Sequence, residues 1–188
     1  MLILSDMKYS YRRERPVFDI PRMEIPAGEI VGIVGANGAG KSTFLRCLCG
    51  MERSCKATMK TRNESLDNKA RRRKIYMVMQ DVNHQLFTDS VLEEIMISQE
   101  IENKDEALNI LESLDLGKYA DKHPLALSGG QKQRVAVASA IASGRDIILF
   151  DEPTSGLDYY HMILVADILN DLKNRGKTVI IVTHDIEL

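Results

Sequence analysis

Residues Glu29-Ile30-Val31-Gly32-Ile33-Val34 run without a break into Gly35-Ala36-Asn37-Gly38-Ala39-Gly40-Lys41-Ser42, and Phe44, Leu45 and Leu48 then recur at the spacing of a helix face. This strand, glycine turn and helix constrain the chain more than any other segment. The turn fits G-x-x-x-x-G-K-[ST], the pattern of a phosphate-binding loop, in the setting that loop needs. Glycines let successive backbone N–H groups turn inward around phosphate oxygens. The positive end of the following helix adds to the attraction. Lys41 would neutralise charge between the outer two phosphates, and the Ser42 hydroxyl would ligate Mg2+. The bland alternative is an ordinary glycine-rich turn, and the loop alone specifies nucleotide binding without naming a reaction.

The 188 residues suffice for one domain with a sizeable core. A composition of 44% hydrophobic and 28% charged residues excludes disorder. A net charge of -2 excludes a field that would press the whole surface onto nucleic acid or an anionic membrane. No apolar run approaches the ~18 residues of a membrane span, and Met1 to Asp6 does not read as a signal peptide. The three cysteines, Cys47, Cys49 and Cys55, are an odd number without zinc spacing, which points to reduced thiols in a reducing compartment.

The first 34 residues read as strands, because Pro21 and Pro26 oppose long helices. Residues 56 to 74 read as a hairpin or loop, and the basic run Lys69 to Lys74 as a solvated face. Ile75 to Met79 reads as a strand. Ser90, Asn103 and Ser128 stand at helix starts, Ser90 with Glu93 and Asn103 with Glu106 three residues on. Ile147-Ile148-Leu149-Phe150 is apolar throughout, as a strand buried on both faces requires. Tyr159 to Asn174 reads as a helix with a stripe of Leu164, Ile168 and Leu172 that stops before Gly176. Alternating strands and helices in the second half predict a mostly parallel α/β sheet. The expected fold is a P-loop α/β architecture with an N-terminal antiparallel β subdomain and an inserted α-helical subdomain. The core comprises residues 1–82 and 128–188, and the helical insertion residues 83–127.

Asp151 and Glu152 follow the apolar strand, 110 residues after Lys41. Ligands of open α/β sheets bind at the carboxyl ends of strands. Asp151 can therefore hold Mg2+ through a water, and Glu152 can aim at the water that attacks a γ-phosphate. Leu127-Ser128-Gly129-Gly130-Gln131 is a second serine/glycine turn opening a helix, and so a second anion site. One nucleotide in the first loop leaves it unused unless two copies face each other head to tail. Each copy's Ser128 and the amides of Gly129 and Gly130 would then reach the nucleotide held by the other.

With these motifs in order the chain resembles the ATP-binding-cassette (ABC) ATPases. The resemblance rests on Gly35 to Thr43, Gln80, Leu127 to Arg134, Asp151-Glu152, Ser155-Gly156-Leu157-Asp158 and His184, and covers essentially the whole chain. It implies ATP and Mg2+ as ligands, with Asn37, Gly38, Ala39, Gly40, Lys41, Ser42 and Thr43 around the nucleotide. Tyr11 would stack on the adenine, with Phe18 as rival. Ser42, Gln80 and Asp151 would hold the metal. Glu152, Gln80 and His184 would form the catalytic group. Ser128, Gly129, Gly130 and Gln131 would be the signature offered to the partner's nucleotide, and Asp158 a contact across the dimer.

Gln85-Leu86-Phe87, Ser90-Val91 and Glu93-Glu94-Ile95 resemble the ATPases of energy-coupling-factor (ECF) transporters, importers of vitamins and metal ions. The proline that usually follows the family's glutamine is absent. Leu86 and Phe87 could wall a groove for a partner helix or simply be core. The expected partners are a second ATPase subunit and integral membrane subunits, with no nucleic acid, at the cytoplasmic face of the membrane. The transported substrate would be chosen by the other subunits. The chain ends at Leu188, four residues past His184, where ABC domains usually continue, so a shortened cassette is expected. The competing functions are a non-transport ABC ATPase of DNA repair or translation, and a chain that binds ATP without turnover. Lys41 and Ser128 are 87 residues apart, and the stretch between them shows no sustained heptads, against the repair type with its long coiled coil. A single cassette argues against the translation type.

Overall fold

The computed structural model describes residues 1–11, 16–154 and 156–183. Strands β1 (Leu2–Tyr9), β2 (Phe18–Ile25) and β4 (Lys56–Thr61) form an antiparallel sheet ordered β2-β1-β4. Strands β3 (Ile30–Ile33), β5 (Ile75–Val78), β6 (Ile147–Asp151) and β7 (Thr178–Val182) form a parallel sheet ordered β3-β7-β6-β5. Helix α1 (Lys41–Leu48) buries Phe44, Leu45 and Leu48 as its spacing predicts.

The side-chain alternation of β6 and β7 divides the molecule into two cores. Ile147, Leu149, Ile180 and Val182 join α1 and the antiparallel sheet on one side. Ile148, Phe150, Val179 and Ile181 face the helices that follow β5 on the other. Every residue of β6 and β7 is therefore buried, and the apolar run needs no polar face.

Between β5 and residue 127 the described chain holds only helices: α3 (Val91–Met96), α4 (Lys104–Ser113) and three 3-10 turns. Ser90 and Asn103 cap α3 and α4 as expected, accepting from the amides of Glu93 and Glu106 at 3.2 and 3.1 Å. Helix α5 (Gly129–Ala142) is buried without interruption from Gln133 to Ala140, and it touches the sheet, α3, α4 and the last helix, α6 (Tyr159–Asn174).

Three expectations are corrected. Residues 56–74 hold β4 and a helix, α2 (Asn68–Lys74), capped by Asp67, whose carboxylate accepts from the Ala70 amide at 2.7 Å. The basic run is not wholly a solvated face. Arg71 is buried and donates to the carbonyls of Leu66 and Ala57, which tie α2 to β4. On α6 the buried stripe is Val165, Leu169 and Leu172, with Leu164 and Ile168 only partly covered. All three cysteines are buried.

Candidate functional site

The four parallel strands end along one rim, where the chain from β3 turns through the glycine loop into α1. Gly40 closes this turn at φ 90 as the residue before the helix. A Cβ there would stand 2.5 Å from Val17 Cγ1, so the loop and the residue before β2 approach closely only because Gly40 lacks one. The Lys41 ammonium donates to the carbonyls of Gly35 (2.7 Å) and Ala36 (3.2 Å), which holds a positive charge inside the loop.

An open cleft of about 860 Å³ lies over this loop. Tyr11, Asn37, Gly38, Ala39, Gly40, Lys41, Ser42, Thr43, Gln80 and Glu152 line it, so the rim gathers most of the residues singled out from the sequence. The Ser42 hydroxyl donates to Asp151 Oδ1 at 3.0 Å, although 109 positions separate them. Burial pushes the Asp151 carboxyl above its usual range, and the adjacent Glu152 carboxylate adds to this, while the Ser42 hydrogen bond opposes it. Glu152 is buried at φ 55, and its amide donates to the Val182 carbonyl at 2.8 Å.

The donor set fits Mg2+. Hard oxygen donors meet here, and Mg2+ takes only one or two carboxylates and leaves its other positions to water and phosphate. Asp151→Asn is expected to stabilise the nucleotide-free chain by on the order of 1 kcal/mol at neutral pH, by removing a charge buried beside another. The gain should vanish as pH falls through the raised Asp151 pKa, because the protonated aspartate is itself neutral. Thermal melts across pH check this.

The Tyr11 hydroxyl pairs with Thr43 Oγ1 at 2.7 Å and accepts from Arg46 at 2.8 Å, and its ring meets Tyr9 edge-on. The rival Phe18 packs between Tyr9 and Phe44. Arg46 escaped the sequence reading; its place one turn beyond Ser42 was the available signal.

The serine turn lies off the cleft. Ser128 opens α5 with a complete capping box: its hydroxyl accepts from the Gln131 amide (3.4 Å), and the Gln131 carboxamide accepts from the Ser128 amide (2.9 Å). Ser128 and Gly129 are exposed, and Gly130 follows in the first helical turn. Asp158 caps α6, accepting from the His161 amide at 2.9 Å and pairing with the His161 ring Nδ1 at 2.7 Å, and these bonds hold its carboxyl below the usual range. Ser155 and His184 lie outside the described residues.

Comparison with known proteins bears on this geometry. The profile of the family described as "ABC transporter" matches residues 18–155. A Treponema denticola protein named as an ABC transporter ATP-binding protein is 48% identical over 161 residues, 85% of this chain and 33% of that protein. The energy-coupling factor transporter ATP-binding protein EcfA2 of Methanospirillum hungatei is 36% identical over 199 residues, covering 100% of this chain and 50% of its own. The chain thus spans a third to a half of the length of these relatives. The dimeric post-hydrolysis structure of the ATP-binding cassette MJ0796 with ADP and Pi superposes with a TM-score of 0.85 at 30% identity, covering 99% of this chain and 89% of that one. Fold, rim geometry and family profile agree: the chain belongs to the ABC transporter family of ATP-binding proteins.

Proposed function

We propose that the chain is the ATP-hydrolysing part of an ABC transporter of the energy-coupling-factor type, working as a head-to-tail pair at the cytoplasmic face of a membrane. The observation that carries the reading is the 3.0 Å bond from Ser42 to Asp151, with Glu152, the next residue, on the same cleft. The loop amides and Lys41 hold the triphosphate, and Tyr11 carries the base. Ser42, Gln80 and Asp151 would hold Mg2+, which when bound would offset the negative charge of the phosphates. Glu152 accepts a proton from the attacking water as the water oxygen bonds to the γ-phosphorus and the bond to the β–γ bridging oxygen breaks. Lys41 stabilises the charge left on ADP.

Sharing of the nucleotide by two copies is supported by the exposed serine turn, which lies off the chain's own cleft, and by the dimer that MJ0796 forms with ADP and Pi. A membrane partner is supported by the named function of EcfA2 and by a groove of about 470 Å³. Phe87, 75% exposed, stands on its wall, while Leu86 is buried in the core behind. No helix among the described residues is long and apolar enough to cross a membrane.

The test uses the chain carrying Glu152→Gln, which should double its mass in MgATP. Adding Ser128→Arg is expected to keep the chain a monomer at ATP concentrations that still saturate it, as read by light scattering. Dimerisation of the double variant would overturn the shared site.

A further inference from the structure

Strand β5 is an edge of the parallel sheet, paired on one side with β6. Beyond its end the structure places the carboxamide of Gln85. Its Nε2 donates to the Met77 carbonyl at 2.7 Å, and its Oε1 accepts from the Met79 amide at 2.7 Å. In a parallel ladder a residue opposite Val78 makes this pair of bonds, donating to the carbonyl before Val78 and accepting from the amide after it. One side chain thus reproduces the bridge of a neighbouring peptide and satisfies two groups that an edge strand leaves open.

Gln85 is itself fixed. Its amide donates to the Val82 carbonyl at 3.0 Å. The Asp81 carboxylate caps the same turn, accepting from Asn83 N at 3.1 Å and Nδ2 at 2.9 Å. Leu86 is buried directly after it. The excursion of chain from Met79 to Gln85 is therefore closed at its base by two short bonds. Gln80, exposed and on the wall of the nucleotide cleft, is the first residue inside that closure.

We infer that Gln85 is a positioning residue for Gln80: its carboxamide fixes where the chain leaves the sheet, and so where Gln80 stands in the nucleotide cleft. The inference rests on the proposed role of Gln80 at the metal and the attacking water. Only a glutamine supplies both bonds at this reach. Methionine has the length but neither bond, and glutamate accepts from Met79 but, ionised, opposes the Met77 carbonyl.

The experiment compares Gln80→Ala, Gln85→Met and Gln85→Glu for kcat, ATP affinity by titration, thermal midpoint, and hydrogen exchange at the Met79 amide. Gln85→Met is expected to lower kcat about tenfold or more, the scale of a small displacement in a positioned group. Its ATP affinity should stay within about twofold of the wild type, because the phosphate loop is untouched, and Met79 should exchange faster. Gln85→Glu should lose kcat at neutral pH and regain part of it, relative to wild type, as the pH is lowered and the carboxyl recovers a proton to donate. Gln85→Met should show no such recovery. Faster exchange at Met79 with an unchanged kcat overturns the inference, and so does a parallel fall of affinity, kcat and thermal midpoint in both Gln85 variants. If Gln80→Ala leaves kcat unchanged, the role of Gln80 falls and Gln85 falls with it. If Gln80→Ala slows turnover and Gln85→Met does not, only the Gln85 inference is lost.

Discussion

Glu152→Gln is expected to slow ATP hydrolysis by about 100-fold or more, the usual scale for a positioned general base, while MgATP still binds. Glutamine matches glutamate in shape, so the backbone at φ 55 and the bond from residue 152 to the Val182 carbonyl persist. What disappears is the ability to take a proton from water. A non-glycine residue at such a φ costs about 1–2 kcal/mol, and such residues gather at active sites because surrounding structure holds them there. Here that structure is the end of β7, which anchors the residue and leaves its side chain no choice of origin. Since both residues bear the same backbone cost and the glutamine only removes a charge buried beside Asp151, the thermal midpoint should not fall, and the loss of turnover can be read as chemistry rather than unfolding. Single-turnover kinetics with radiolabelled ATP measure it, and equal rates in variant and wild type would remove Glu152 from the role of base.

Lys41→Ala is expected to weaken MgATP binding by about 100-fold or more. A charge-assisted bond to phosphate is worth about 1.5–3 kcal/mol, and each 1.4 kcal/mol is about tenfold in affinity. The lysine also spans the loop through the carbonyls of Gly35 and Ala36, so its removal loosens the cradle as well as discharging it. The side chain lies at the cleft rather than in either core, and the fold should survive. Fluorescent-nucleotide titration gives the affinity, and an unchanged value would refute the phosphate-loop assignment.

The parts of the site that local chemistry dictates were legible in the sequence. The glycine loop, the strand ending in Asp151 and Glu152, and the caps at Ser90, Asn103 and Ser128 each follow from residue type and short spacing. The parts set by distant partners were not. Helix α2 is rich in lysine and arginine and has no apolar stripe; it is held by bonds from Arg71 to the carbonyls of Leu66 and Ala57, from Arg72 to the carbonyl of Gly50, and by Ala70 against the core. The bridge of Gln85 to β5 is invisible because an edge strand has no signature in the residue that completes it. On α6 the expected stripe shares Leu172 with the buried one, but Val165 and Leu169 are buried where Leu164 and Ile168 are only partly covered, because a run so rich in apolar residues fits more than one helical face.

Because α5 is covered from Gln133 to Ala140, the serine turn at its head cannot be tilted by itself. Ala136 and Ala140 stand one turn apart on one face of this helix and Ala138 on another, and all three are buried. Bulky replacements at these three alanines should therefore strain the packing and lower the thermal midpoint, although none of the three lines the nucleotide cleft.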